Sequence, residues 1–272
     1  MNEIKQISSL QNPLIKKVVL LKEKKRGRNK SGLFVLEGVR EMQMALKGGY
    51  TFDTVFFYPD ILSKDELYTI LDGIISDTQI VELSKEVYQR VAYREKTEGV
   101  LAIAKTKSHE LKDLKFTADN PLVLVAEAPE KPGNIGALLR TADAAKLDAV
   151  IIANPRADLY NPNVIRSSVG CVFTVPLATG NNEEVISHLK SKGIAIVGAS
   201  LQAAKNYTSH DYRPATAIVV GTESTGLTEE WIRHLDSSVV IPMQGEIDSM
   251  NVSVSAAILI FEARRQRTTQ SQ

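Results

Sequence analysis

Six short apolar runs rich in β-branched residues, at 122–126, 149–153, 173–176, 194–198, 217–220 and 239–241, constrain this chain more than any other feature. None alternates apolar with polar residues, so each reads as a strand covered on both faces. The segments between them have room for helices, the connection that parallel strands require. Residues 121–267 are therefore predicted to fold as α/β around a parallel sheet. Ligands of such sheets sit beyond the carboxyl ends of the strands. Two of those ends are marked, one by Gly221 after 217–220 and the other by Pro242 after 239–241.

A second alternation lies upstream. Strands are expected at 33–36, 54–58, 79–83 and 99–104, with helices at 38–46, 64–75 and 85–91. This spacing predicts a small α/β domain over 32–106 with its own core. Residues 107–120, polar and lysine-rich, read as a linker, and 268–272 as a disordered tail.

A chain of 272 residues has ample length for two such cores. Its 43% hydrophobic and 24% charged residues are ordinary for a globular protein. The single cysteine, Cys171, excludes an internal disulfide, fits a reducing compartment and reads as a core residue. No apolar run reaches the ~20 residues of a membrane span, and no signal-peptide core opens the chain. Cytoplasm is the expected location. His109, His188, His210 and His234 are scattered without ligand spacing, so no metal is expected and they read as surface residues.

The net charge of +1 hides an asymmetry. Residues 1–30 hold nine basic side chains against Glu3 and Glu23, a surplus of seven, so the remainder carries −6. Asn12-Pro13 starts a helix whose apolar stripe is Leu14, Ile15, Val18, Val19 and Leu21. Residues 1–31 are thus expected to form a basic N-terminal arm or helix, with Lys22, Lys24, Lys25, Arg26, Arg28 and Lys30 contacting phosphates. The bland alternative is a solvated helix end whose lysines suit the helix dipole. Arg94 and Lys96 are further candidates for contacting phosphates, a merely surface role being the alternative.

Three stretches carry the chemistry. The first is Lys131-Pro132-Gly133-Asn134-Ile135-Gly136-Ala137-Leu138-Leu139-Arg140-Thr141-Ala142, read as a turn opening a helix. The second is Gly221-Thr222-Glu223-Ser224-Thr225-Gly226-Leu227, and the third runs from Ile241-Pro242-Met243 to Ser249-Met250-Asn251-Val252-Ser253-Val254-Ser255-Ala256-Ala257. In this order they resemble the three motifs of the SpoU (TrmH) family, RNA 2′-O-ribose methyltransferases of the SPOUT superfamily. Upstream, Phe34-Val35-Leu36-Glu37-Gly38 and Thr97-Glu98-Gly99-Val100-Leu101-Ala102 resemble the family's substrate-binding domain, a small α/β fold akin to RNA-binding ribosomal proteins.

The resemblance implies a trefoil-knotted C-terminal domain, S-adenosylmethionine as methyl donor, and a homodimer joined through the C-terminal domain, with Tyr160 or Arg166 completing the partner's site. It implies catalytic roles for Asn134, Arg140, Glu223, Ser249 and Asn251. Cofactor binding is expected at Gly221, Ile241 and Met250, largely through backbone, with Thr222 and Pro242 alongside. Arginine is a poor base, its pKa exceeding about 12, so Arg140 is read as a clamp on phosphate and developing alkoxide. Its alternative use is an ion pair with Glu127 or Glu223. Ser253 and Ser255 read as small residues of a closely packed helix.

Ribosomal RNA of the 23S type is the expected substrate. Transfer RNA is the alternative within the class, and a catalytically silent RNA-binding protein the alternative outside it. A dinucleotide site is disfavoured because Gly133-x-x-Gly136 lacks the full glycine pattern and no acid ends the following strand.

Overall fold

The computed structural model describes residues 4–71, 78–93, 98–222 and 225–268, which fall into two compact units. The first comprises Met1–Lys107 together with Leu159–Thr174, and the second Ser108–Asp158 with Val175–Gln272.

In the first unit the chain runs β1 (Lys5–Ile7), α1 (Pro13–Glu23), α2 (Lys25–Ser31), β2 (Leu33–Glu37), α3 (Val39–Lys47), β3 (Phe52–Phe57), α4 (Lys64–Ile70), β4 (Gln79–Leu83), α5 (Lys85–Val91) and β5 (Val100–Lys105). The strands form one sheet in the order β1-β4-β3-β5-β2. β4 pairs in parallel with β1 and β3, whereas β5 is antiparallel to both β2 and β3. The Asn12 side chain caps α1 by accepting from the Leu14 N–H at 2.9 Å, with Pro13 in the first turn. Ile15, Val18 and Leu21 of α1 are then buried against Val35, Phe56, Val81 and Ile103 of the sheet.

The basic N-terminal segment is therefore helical, with the apolar face of α1 built into a core and its cations divided between buried and exposed positions. Arg28, only 3% exposed, donates Nη1 to the carbonyls of Leu21 at 2.6 Å and Lys22 at 3.2 Å. It closes the end of α1, satisfying carbonyls that a helix terminus leaves without partners. Lys22 is half-buried, with its ammonium 3.7 Å from Glu37 and bonded to the Val91 carbonyl. Burial lowers its pKa, with Glu37 opposing that shift. Lys24, Lys25, Arg26 and Lys30 are exposed. Arg94 and Lys96 lie outside the described residues.

Leu159–Thr174 joins this unit through aromatic packing and carries α7 (Pro162–Ser167). The Tyr160 ring stacks on Phe34 at 4.4 Å, and its hydroxyl lies 3.1 Å from that of Tyr50. Tyr160 is thus a core residue, contrary to the expectation that it completes a partner's site. The strand expected at 173–176 is also displaced. Cys171–Phe173 forms a 3-10 turn because Phe173 is needed beside Phe34 and Tyr50 in the same aromatic cluster.

The second unit contains β6 (Leu122–Glu127), α6 (Pro132–Ala144), β7 (Ala149–Ala153), β8 (Leu177–Gly180), α8 (Asn182–Ser191), β9 (Ala195–Ala199), β10 (Thr216–Val220), α9 (Glu229–His234), β11 (Ser237–Val239) and α10 (Val252–Thr268). All pairings in the sheet β11-β9-β10-β6-β7-β8 are parallel. Buried strands account for the continuous β-branched runs: the side chains of β6, β7 and β10 are sequestered on both faces. The stretch read as a linker is packed on this unit, with Leu111, Leu114 and Phe116 partly buried against the core. α10 buries Ala256, Leu259, Ile260 and Ala263 and packs on α6 and β10. Arg267 then ties the helix to the carbonyls of Tyr212, Asn120 and Pro214 at 2.6–2.8 Å.

Candidate active site

Because every strand of the second sheet is parallel, the carboxyl ends of β9, β10, β6 and β11 share one edge. A cavity of about 660 Å³ opens there. Its wall includes Ala199 to Gln202 after β9, Gly221 and Thr222 after β10, Ile241 and Met243 after β11, and Ser249, Met250 and Val252 leading into α10.

Gly221 shows why the chain is built as it is. A Cβ at this position would lie 2.1 Å from the Gly226 carbonyl carbon and 2.4 Å from the Leu227 nitrogen. The loop folds back that tightly because Thr222 and Gly226 exchange backbone hydrogen bonds of 3.0 and 3.1 Å. Gly226 turns the chain at φ +69, a conformation that L side chains rarely adopt. The Thr222 and Thr225 hydroxyls, 2.8 Å apart, close the loop from the side.

That loop is anchored from below by Glu127, 1% exposed at the end of β6. Its Oε2 accepts the Thr228 N–H at 3.0 Å and its Oε1 the Thr228 hydroxyl at 2.7 Å. The Asn182 amide also donates to Oε1 at 3.0 Å. Glu127 is thus occupied with the loop and α8, not in an ion pair with Arg140. Sequence reasoning gave Glu127 no catalytic or binding role, although a carboxylate ending a fully buried strand is unusual enough to flag it.

A smaller cavity of about 230 Å³ lies beside the first and shares Gly221, Thr222 and Val252 with it. Its other walls include Lys131, Asn134 and Leu138 of the α6 region. Asn251 donates Nδ2 to Asn134 Oδ1 at 3.2 Å, while its own Oδ1 accepts from the Ser253 N–H and hydroxyl at 2.9 and 2.6 Å. Asn251 thereby caps α10 and holds Asn134 at the same time. Ser249 lines the large cavity and donates its hydroxyl to Asp248 at 3.2 Å.

Arg140 is exposed on α6, and among the described residues no hydrogen bond or ion pair engages it. Glu223 lies outside the described residues. Pro242 sits between two lining residues, Ile241 and Met243. The polar segment after β9, Ser200 to Gln202, was missed by sequence reasoning. The strand-end rule that flagged Gly221 and Pro242 applies equally to Ala199. Among the described residues no group of histidine, cysteine and acidic side chains is arranged to hold a metal. His188 is half-buried near Phe116 rather than fully exposed: among the described residues its Nε2 has no hydrogen-bond partner, and desolvation lowers its pKa.

A parallel α/β sheet with a backbone-lined cavity at its carboxyl edge, walled by glycine and asparagine loops, defines a nucleotide-type binding fold. The SpoU rRNA Methylase family model matches residues 121–261, and the MRM3-like substrate binding domain model matches 12–102. The chain belongs to the SpoU rRNA methylase family. It is 31% identical to 23S rRNA (guanosine(2553)-2′-O)-methyltransferase RlmP of Bacillus subtilis (strain 168), over 96% of this chain and all of that protein. The crystal structure of an RNA 2′-O ribose methyltransferase superposes with a TM-score of 0.83 at 36% identity, covering 97% of this chain and 99% of that one. The AdoMet-bound rRNA methyltransferase from Sinorhizobium meliloti superposes with a TM-score of 0.88 at 26% identity, covering 96% and 98%.

Proposed function

We propose that this protein methylates a ribose 2′-hydroxyl of ribosomal RNA of the 23S type, with S-adenosylmethionine as donor. The observation that carries the reading is the pairing of two cavities across Gly221, Thr222 and Val252, one large enough for a nucleoside-sized cofactor and one reaching Asn134. A relative named for 2′-O-methylation of 23S rRNA and a similar rRNA methyltransferase structure with AdoMet bound support the same assignment.

The large cavity fits the cofactor on its own chemistry. Gly221, Ile241 and Met250 offer backbone groups, Thr222 a hydroxyl and Met243 an apolar wall. The bound cofactor supplies an electrophilic methyl on a sulfonium whose thioether leaves without needing an acid. Asn134 and Asn251 orient the substrate ribose, joined by Ser249 and Glu223. Arg140 fixes a phosphate and stabilises charge growing on the 2′-oxygen as the hydroxyl proton leaves to solvent, a role suited to its planar donor fork. The N-terminal unit captures RNA, with Lys24, Lys25, Arg26 and Lys30 as its exposed cations.

The working form is proposed to be a cytoplasmic homodimer paired through the second unit, whose C-terminal segment carries the family's knot. Val254 and Phe261, 48% and 51% exposed, lie two turns apart on α10 and leave an apolar stripe suited to a second copy. Mapping ribose methylation in ribosomal and transfer RNA from cells with and without the gene tests the activity. Loss of one ribosomal methylation is the expected result; unchanged ribosomal RNA would overturn the assignment.

A further inference from the structure

A third cavity, of about 190 Å³, lies in the N-terminal unit. Val35, Leu36, Pro162 and Ile165 give it apolar walls, while Glu37, Glu41, Glu98, Lys22, Tyr93 and Arg166 supply polar groups. Such a volume suits a ring system more than one or two waters. We propose that this cavity reads a guanine base of single-stranded RNA, Glu41 accepting from its Watson–Crick edge and Arg166 stacking on its ring. The inference rests on the RNA reading above and deepens it by naming the base.

The stacking surface is prepared in advance. The Arg166 guanidinium carbon lies 4.6 Å from the centre of the Tyr93 ring, whose hydroxyl is anchored on Asn163 Oδ1 at 2.9 Å. A guanidinium held against one aromatic face has its other face left for a base, and unpaired RNA bases are commonly stacked in this way.

The acceptors are not equivalent. Both oxygens of Glu37 accept from the Tyr93 N–H, at 3.0 and 2.8 Å, and Lys22 lies beside it. Glu98 Oε2 accepts from the Val39 N–H at the start of α3. Among the described residues no side chain donates to Glu41. Burial pushes its carboxyl pKa upward, helped by the charges of Glu98 and Glu37, with its own backbone N–H and Arg40 only partly opposing them. Glu41 and Glu98 approach so closely only because residue 38 is glycine: at its φ of +108, a Cβ would meet the two carboxylates at 2.5 and 3.2 Å.

An underused carboxylate asks for two adjacent donors, and among the bases only guanine presents them, at N1–H and N2–H₂. Adenine and cytosine set an acceptor beside their amino group, which a carboxylate repels. A cationic side chain would need the same acceptor but would meet Lys22 and Arg166 at like charge. A neutral base carrying both donors and acceptors avoids that conflict.

The test is fluorescence anisotropy of the full chain with labelled single-stranded uridine tracts carrying one central guanosine, inosine or adenosine. The wild type should bind the guanosine tract about tenfold more tightly than the adenosine tract. Inosine, which lacks the N2 amino group, should fall between them. Glu41→Gln should abolish the guanosine preference while leaving affinity for plain uridine tracts unchanged. Arg166→Ala, at an exposed position, should weaken both purine tracts towards the uridine level. Equal binding of all tracts by the wild type, or a guanosine preference that survives Glu41→Gln, overturns the proposal. Competition by guanidinium ion without base preference does so too. Methyl transfer is scored separately, so base selectivity without transfer, or transfer without selectivity, shows which of the two readings failed.

Discussion

Asn251 and Asn134 stand 117 residues apart in the chain, and the amide of one donates to the amide oxygen of the other at 3.2 Å. The bond fastens the start of α10 to the start of α6, so the loop ahead of each helix is positioned by the other. Asn251→Ala should therefore do two things. It removes the cap of α10, at about 1 kcal/mol, and it deletes the Asn251 bond that helps to orient Asn134, lowering turnover more than cofactor affinity. Calorimetry with S-adenosylmethionine beside single-turnover kinetics separates the two. A loss confined to cofactor affinity would contradict the bridging role.

Arg140→Ala should leave the thermal midpoint and cofactor affinity nearly unchanged, because Arg140 is exposed and lines neither cavity. Turnover should fall by roughly 10²–10³, as for loss of one transition-state stabiliser. Arg140→Lys keeps the charge but not the fork and should recover little, with a flat pH profile. Strong recovery with a rate rising at alkaline pH would instead mark this position as the base.

Gly221→Ala places a methyl group 2.1 Å from the Gly226 carbonyl carbon, against backbone that has nowhere to go. The loop must open, costing about 1–3 kcal/mol, and cofactor binding should be lost by calorimetry while far-UV circular dichroism is retained. Undiminished binding would mean that this loop is not part of the cofactor wall.

Glu127→Ala takes the acceptor from the Thr228 N–H and hydroxyl and leaves the Asn182 amide with Glu230 as its remaining partner, costing about 1 kcal/mol of unfolding free energy by denaturant titration. The cofactor KM should rise with kcat little changed, since Glu127 holds the loop and touches neither cavity. A fall in kcat at unchanged KM would refute the positioning role.

Charge removal at the N-terminus should divide by burial. Replacing exposed Lys24, Lys25, Arg26 and Lys30 should flatten the log K against log salt slope for single-stranded RNA by about 0.7 for each phosphate no longer neutralised. Arg28→Ala should destabilise the N-terminal unit, because the Leu21 and Lys22 carbonyls lose their donor. An Arg28→Ala variant with wild-type stability and a flatter slope would instead make Arg28 a phosphate contact.

Acid should destabilise the fold through two histidines. Desolvation is the main cause of the lowered pKa of both His188 and His210, with Lys192 and Lys205 adding repulsion. A group depressed in the folded state is held there neutral, so its contribution is present above the unfolded value near 6.5 and fades as pH falls through the folded one. His188→Gln should blunt the loss of thermal midpoint between neutral and mildly acidic pH; an unchanged acid limb would exclude His188.

The sequence by itself determined the local grammar. Strands β6, β7 and β10 were legible because double burial demands unbroken β-branched runs, a property of neighbouring residues. Asn12-Pro13 announced α1, and the glycine of the tight loop at 221 was visible for the same local reason. The tertiary structure decided which distant groups meet. A charged side chain reads alike whether it faces solvent or a helix end, so Arg28 gave no sign of its burial. Tyr160 and Phe173 stood inside what looked like an uninterrupted second domain, yet their rings complete the aromatic cluster of the first unit. Glu127 and Thr228, like Asn134 and Asn251, pair across more than a hundred residues. Periodicity reports on a residue's nearest neighbours, while a hydrogen bond of this kind depends on how the sheet brings strand ends together.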